Sequence, residues 1–135
     1  MRARIEQELS LLRRYYPDIE HKEAGGEDWF RLPTYPFPAG WILNGSDVTT
    51  APVVFKVTAA HPGADPYAFL TPAGLTFKGT VPGSTGTGAC PAFDGAWLQF
   101  SWSPDGTWTP TANIEKGSNL YSWVRSFAKR LAEGA

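Results

Sequence analysis

The sequence predicts an α+β domain: a helix at each end and an antiparallel meander between them. Three observations carry this. Residues 2–16 and 117–131 repeat apolar side chains at helical spacing. Between them, apolar residues come in short runs broken by turn dipeptides. The 135 residues include 14 Gly and 12 Pro, too many breakers for a helical middle.

The totals bound the class. A chain of 135 residues suits one domain, 1–135. Chains near this length bury roughly two-thirds of their unfolded surface, enough for a core without metals or disulfides. With 42% hydrophobic and 19% charged residues the composition is globular rather than disordered. A net charge of −1 supplies no field for nucleic acid or anionic lipid, so neither is an expected partner. No apolar run is long enough to span a membrane, and the charged start Met1-Arg-Ala-Arg-Ile-Glu lacks a signal core. One cysteine excludes an internal disulfide, and a cytoplasmic location is expected.

In order, Ile5, Leu9, Leu12 and Tyr16 mark one face of the first helix. Glu6 and Glu8 stand early and Arg13 and Arg14 late, as the helix dipole favours, and Pro17 stops it. Residues 18–32 read as two short strands about a Gly25-Gly26 turn. The prolines of Thr34-Tyr-Pro-Phe-Pro-Ala-Gly40 impose an extended crossing segment. Trp41-Ile-Leu43 restarts a strand and Asn44-Gly45 is a hairpin turn. Pro52-Val-Val-Phe-Lys-Val-Thr58 is the best strand in the chain, His61 to Pro66 a loop, and Tyr67-Ala-Phe-Leu70 another strand. Residues 72–94 are irregular by their glycines and prolines. Trp97 to Trp102 is an aromatic strand, closed by the turn Ser103-Pro-Asp-Gly106 and followed by Trp108 and Pro110. The final helix opens at a Ser118 cap and turns Leu120, Trp123, Val124, Phe127 and Leu131 to the core, with Arg125, Lys129 and Arg130 off that face.

The usual chemical motifs are thin. His21 and His61 stand far apart, the cysteine has no partner, and no carboxylate cluster appears, so neither metal nor cofactor is expected. Gly83-Ser-Thr-Gly-Thr-Gly88 lacks the Gly-Lys-Ser/Thr and helix that hold phosphate, and reads as a flexible loop. No Gly-x-Ser-x-Gly elbow accompanies Ser101. Cys90 lies in a loop with no cation beside it to favour a thiolate, so its plainer reading is a half-buried thiol.

Taken together, the helix, meander, Pro-rich crossing, irregular loop and Trp-x-Pro before a helix resemble the ubiquitin-conjugating enzyme fold over residues 5–132. Val54-Phe-Lys-Val followed by His61-Pro-Gly-Ala-Asp-Pro-Tyr-Ala-Phe69 is similar to that fold's strand and Tyr-Pro-x-x-Pro-Pro-x-x-x-Phe, with His61 for the Tyr and Asp65 for the first Pro of the pair. Trp108-Thr-Pro110 resembles its Trp-Ser-Pro, and Leu120 to Leu131 the helix after it. Phe100-Ser-Trp-Ser103 is similar to a run in a divergent bacterial branch, the prokaryotic ubiquitin-conjugating-like family E. The departures are definite. Cys90-Pro91-Ala92 stands near the place of His-Pro-Asn, and the position of the fold's cysteine, counted back from Trp108, falls on Phe100-Ser101.

The resemblance implies a component of a bacterial ubiquitin-like conjugation system, of the kind often found in antiviral operons. Its partners would be a ubiquitin-like modifier and its activating enzyme. Ser101 would accept the modifier as an oxyester, given a base or an activated acyl donor, or the domain would hold the modifier non-covalently. Two alternatives stand beside this: a non-catalytic α+β protein-binding module, and a thioester carrier through Cys90, with the long loop folding it toward Ser101 and His61.

Overall fold

The computed structural model describes residues 2–104 and 106–135. Its elements are α1 (Ala3–Tyr15), β1 (Glu20–Ala24), β2 (Glu27–Pro36), β3 (Trp41–Leu43), β4 (Ser46–Asp47), β5 (Thr50–Val57), β6 (Phe69–Pro72), β7 (Leu75–Phe77), β8 (Thr85–Gly88), β9 (Trp97–Phe100) and α2 (Leu120–Glu133). The main sheet runs β1-β2-β5-β6-β9-β8, antiparallel throughout, and a small sheet runs β4-β3-β7. The predicted α+β class is the observed one.

Strand alternation builds the core. Phe30, Leu32, Val53, Phe55, Val57, Phe69 and Phe100 face one side of the main sheet. There they pack with Ile5, Leu9 and Leu12 of α1 and with Leu120, Trp123, Val124, Phe127 and Leu131 of α2. The intervening Trp29, Val54, Leu70 and Trp97 face the other side, beneath Phe93, Ala92 and Cys90. Burial on both faces is why Val53-Val54-Phe55 is a continuous apolar run. The small sheet joins the core through Trp41, whose indole Nε1–H donates to the Leu131 carbonyl at 3.0 Å.

Both hairpin turns read from the sequence are present. Gly25-Gly26 joins β1 to β2 and Asn44-Gly45 joins β3 to β4, all four residues at positive φ as a two-residue type I′ turn requires.

Several elements depart from the sequence expectations. The crossing segment begins only after Pro36, because β2 continues to pair with β5 through Tyr35↔Ala51 and Pro36↔Thr50. A bulge between Leu32 and Tyr35 absorbs Pro33, which has no N–H for the ladder. Ala68 has φ +67, outside the extended region, so β6 starts at Phe69 rather than Tyr67. Residues 85–88, expected as a flexible loop, form edge strand β8, since β9 supplies a complete ladder partner. The aromatic strand stops at Phe100, and the turn expected after it includes Asp105, which lies outside the described residues.

The second helix is capped by Asn119, not Ser118. Asn119 Oδ1 accepts from the Ser122 N–H at 2.8 Å while Ser122 Oγ accepts from the Asn119 N–H at 3.1 Å, a reciprocal capping box. Ser118 Oγ instead accepts from the Thr109 N–H at 2.8 Å. Arg130, expected off the apolar face, is buried. Its guanidinium donates to the carbonyls of Gly134 and Gly83 and lies 5.1 Å from the Phe100 ring centre, binding the end of α2 to the approach of β8.

Candidate functional site

The loop between β5 and β6 is built around a buried ionisable cluster. His61, on this loop, is 3% exposed, and its Nε2 meets Oε2 of Glu8, a fully buried carboxylate on α1. The same Oε2 accepts from Arg4 Nε at 3.1 Å, and Oε1 accepts from the Leu120 N–H, the first residue of α2, at 2.7 Å. Burial alone would push the Glu8 carboxyl up. The His61 hydrogen bond and charge, the Leu120 N–H and the Arg4 guanidinium together outweigh it, and the carboxyl is held below its ordinary range.

Trp108 closes the loop from outside. Its indole Nε1–H donates to the Pro62 carbonyl at 2.8 Å, and its ring centre lies 6.2 Å from that of His61. The segments His61-Pro62 and Trp108-Thr-Pro110, separate in sequence, thus meet across the β5–β6 loop.

Ser101 follows β9 and is exposed. Its N–H donates to the Ser84 carbonyl at 2.9 Å, and its hydroxyl has no hydrogen-bond partner among the described residues. It opens on a cavity of about 380 Å³ walled also by Tyr67, Trp102, Ser103 and Pro104. Tyr67, 57% exposed, also walls a cavity of about 180 Å³ beside His61 and Asp65. Cys90 is half-buried and packs on the sheet face opposite the helices.

Of the three residues singled out by sequence, no two are hydrogen-bonded. His61 is committed to Glu8 inside the helical layer, Ser101 stands at the exposed end of β9, and Cys90 covers the far face. Glu8 went unread as a site residue because its place on α1 suited a helix-dipole role. Beside Arg4 on its own helix, its partners lie 53 and 112 positions away.

Position also brings together His21, Glu23 and Asp28, with one ligand atom of each within 4.8 Å of the others. Histidine and carboxylate at i and i+2 on one strand, with a second carboxylate directly across the hairpin, is the pattern that would have revealed this group.

Comparison with protein-family models, with curated proteins and with solved structures gave no match.

Proposed function

We propose that this domain is a ubiquitin-conjugating-like component of a bacterial ubiquitin-like conjugation system, one that holds the modifier rather than carrying it on a cysteine. The observation that carries this reading is the contact of Trp108 with Pro62 beside His61. It joins two of the fragments on which the resemblance rests, between the third and fourth strands of the run β1-β2-β5-β6. Non-covalent holding is favoured because Cys90 is half-buried away from the Ser101 cavity. Ser101, exposed and with a hydroxyl that has no hydrogen-bond partner among the described residues, supports a second version, in which the serine takes the modifier as an oxyester. The acyl group would then arrive already activated, because His61, the histidine singled out in the sequence, is engaged by Glu8.

The test mixes the protein with the ubiquitin-like modifier and activating enzyme encoded beside it, plus ATP. Saturable binding without an adduct is the expected outcome. An adduct that survives dithiothreitol, is cleaved by mild base and disappears in Ser101→Ala would establish the oxyester version. An adduct lost on dithiothreitol and absent in Cys90→Ser would replace both with a thioester carrier. Neither binding nor adduct, or no modifier gene nearby, would leave a protein-binding module unconnected with conjugation.

A further inference from the structure

We propose that a cavity of about 160 Å³ on the sheet face opposite the helices binds one uncharged ring whose edge carries a carbonyl beside an N–H, as in a lactam or a ring carboxamide. Its walls include Trp29, Lys56, Tyr67, Leu70, Ala89 and Gln99. The proposal does not rest on the function given above, because it concerns a small ligand of this chain alone.

Strand register builds the site. Leu70 of β6 pairs with Gln99 of β9, and Gln99 with Gly86 of β8, so the three lie in one row across the sheet. Trp29 and Leu70 belong to the apolar cluster on this face. Gly86 puts no side chain beside Gln99, and a Cβ there would meet nothing within 4 Å, so the amide is open from the β8 side. The Gln99 side chain is half-buried and has no hydrogen-bond partner among the described residues. That amide offers N–H donors and an acceptor oxygen, and a lactam edge matches one of each. Tyr67 is exposed, and its hydroxyl likewise has no partner among the described residues. The next residue, Ala68, also walls the cavity and is held at φ +67, a conformation alanine rarely takes. Its N–H is fixed on the Trp102 carbonyl at 2.7 Å. Backbone held against its preference gathers at ligand sites.

Size and charge choose the ligand. A cavity of about 150 Å³ takes a benzene-sized ring, so the volume here admits one ring and not a fused pair. Trp29 and Tyr67 supply aromatic surface for it. The indole N–H of Trp29, a buried donor of this wall, also has no partner among the described residues. Lys56 brings no unanswered charge: its ammonium pairs with Glu27 at 3.1 Å and lies 5.4 Å from the Trp29 ring centre. An ionised ligand would lose hydration here with no free counter-charge to meet it, which favours a neutral one.

The full chain, without modifier, activating enzyme or ATP, is titrated with 2-pyridone, nicotinamide and benzene and followed by two-dimensional amide NMR. The first two should bind saturably with Kd below about 1 mM, shifting the amide signals of Leu70, Ala89 and Gln99. Benzene, which fills the space but lacks the edge, should bind at least about tenfold more weakly. Gln99→Leu keeps the bulk and removes the amide; it should weaken 2-pyridone at least about tenfold and leave benzene as it was. Tyr67→Ala changes an exposed side chain and should weaken all three. The benzene comparison is made on the parent, so it stands whether or not either variant folds. The proposal is overturned if no saturable shift is seen, if the shifts centre on other residues, if benzene binds as tightly as 2-pyridone, or if a folded Gln99→Leu binds 2-pyridone as the parent does.

Discussion

Glu8 shows how one side chain can organise distant parts of a small domain. Its carboxylate lies not at the start of its own helix but against the first N–H of α2, where the positive end of that helix's dipole favours a negative charge. Arg4 and His61 complete its shell, so a single buried anion ties α1, α2 and the β5–β6 loop together. Glu8→Gln would leave the Arg4 guanidinium without its anion and the His61 ring beside a neutral amide. A loss of about 3–5 kcal/mol at pH 7 is expected from the cost of unpairing a buried ion cluster. The pH dependence follows from the direction of the shift. A carboxyl held below its ordinary value of 4.5 stabilises the fold fully above that value. That contribution disappears as pH falls through the lowered folded-state value. Urea unfolding of parent and Glu8→Gln should therefore differ most at neutral pH and converge below 4.5; a gap that widens in acid would contradict the assignment.

At the scale of elements, the reading worked where a local signal decides the structure. Both amphipathic helices and both two-residue hairpins were legible because spacing and turn chemistry are properties of neighbouring residues. It slipped where a partner decides. Pro36 stays in a strand because β5 pairs with it, and glycine-rich residues 85–88 become a strand because β9 lies alongside. Ser118 and Asn119 are equally good caps by type, and Ser118 lost the role to a bond with Thr109, a loop residue nine positions away. Trp108 is the test at this scale. It is 9% exposed and bonded to Pro62, so it fastens the 101–118 segment over the β5–β6 loop. Trp108→Ala should cost about 3–5 kcal/mol. Trp108→Phe keeps most of the apolar area and loses the hydrogen bond, about 1 kcal/mol. Chemical denaturation of both variants separates packing from the bond, and an alanine variant as stable as the parent would remove Trp108 from the core.

For the whole molecule, the fold class was readable and the site was not, for a common reason. Composition and periodicity report what is inside, and the interior here is two apolar clusters, one on each face of the main sheet. The largest apolar cluster takes residues from α1, β2, β5, β6, β9 and α2, and includes Trp41 and Leu75 of the small sheet. A site depends instead on which remote side chains meet. The partnership of His61 with Glu8 and the meeting of His21, Glu23 and Asp28 across a hairpin are set by topology and register rather than by any run of residues. A shared interior also makes a claim about unfolding. The larger cluster draws its members from both helices and four strands of the main sheet, so no helix or hairpin has a core with which to persist by itself. Tryptophans sample both faces of the main sheet: Trp41, Trp108 and Trp123 on the helical side, Trp29 and Trp97 on the other. Fluorescence therefore reports both layers, while far-UV circular dichroism reports the helices and strands. The two signals should give superimposable denaturant curves with one midpoint. A fluorescence transition preceding the loss of helical signal would mean that the layer of Phe93, Trp97 and Cys90 opens on its own, and that the outer face is a separate unit rather than part of the same interior.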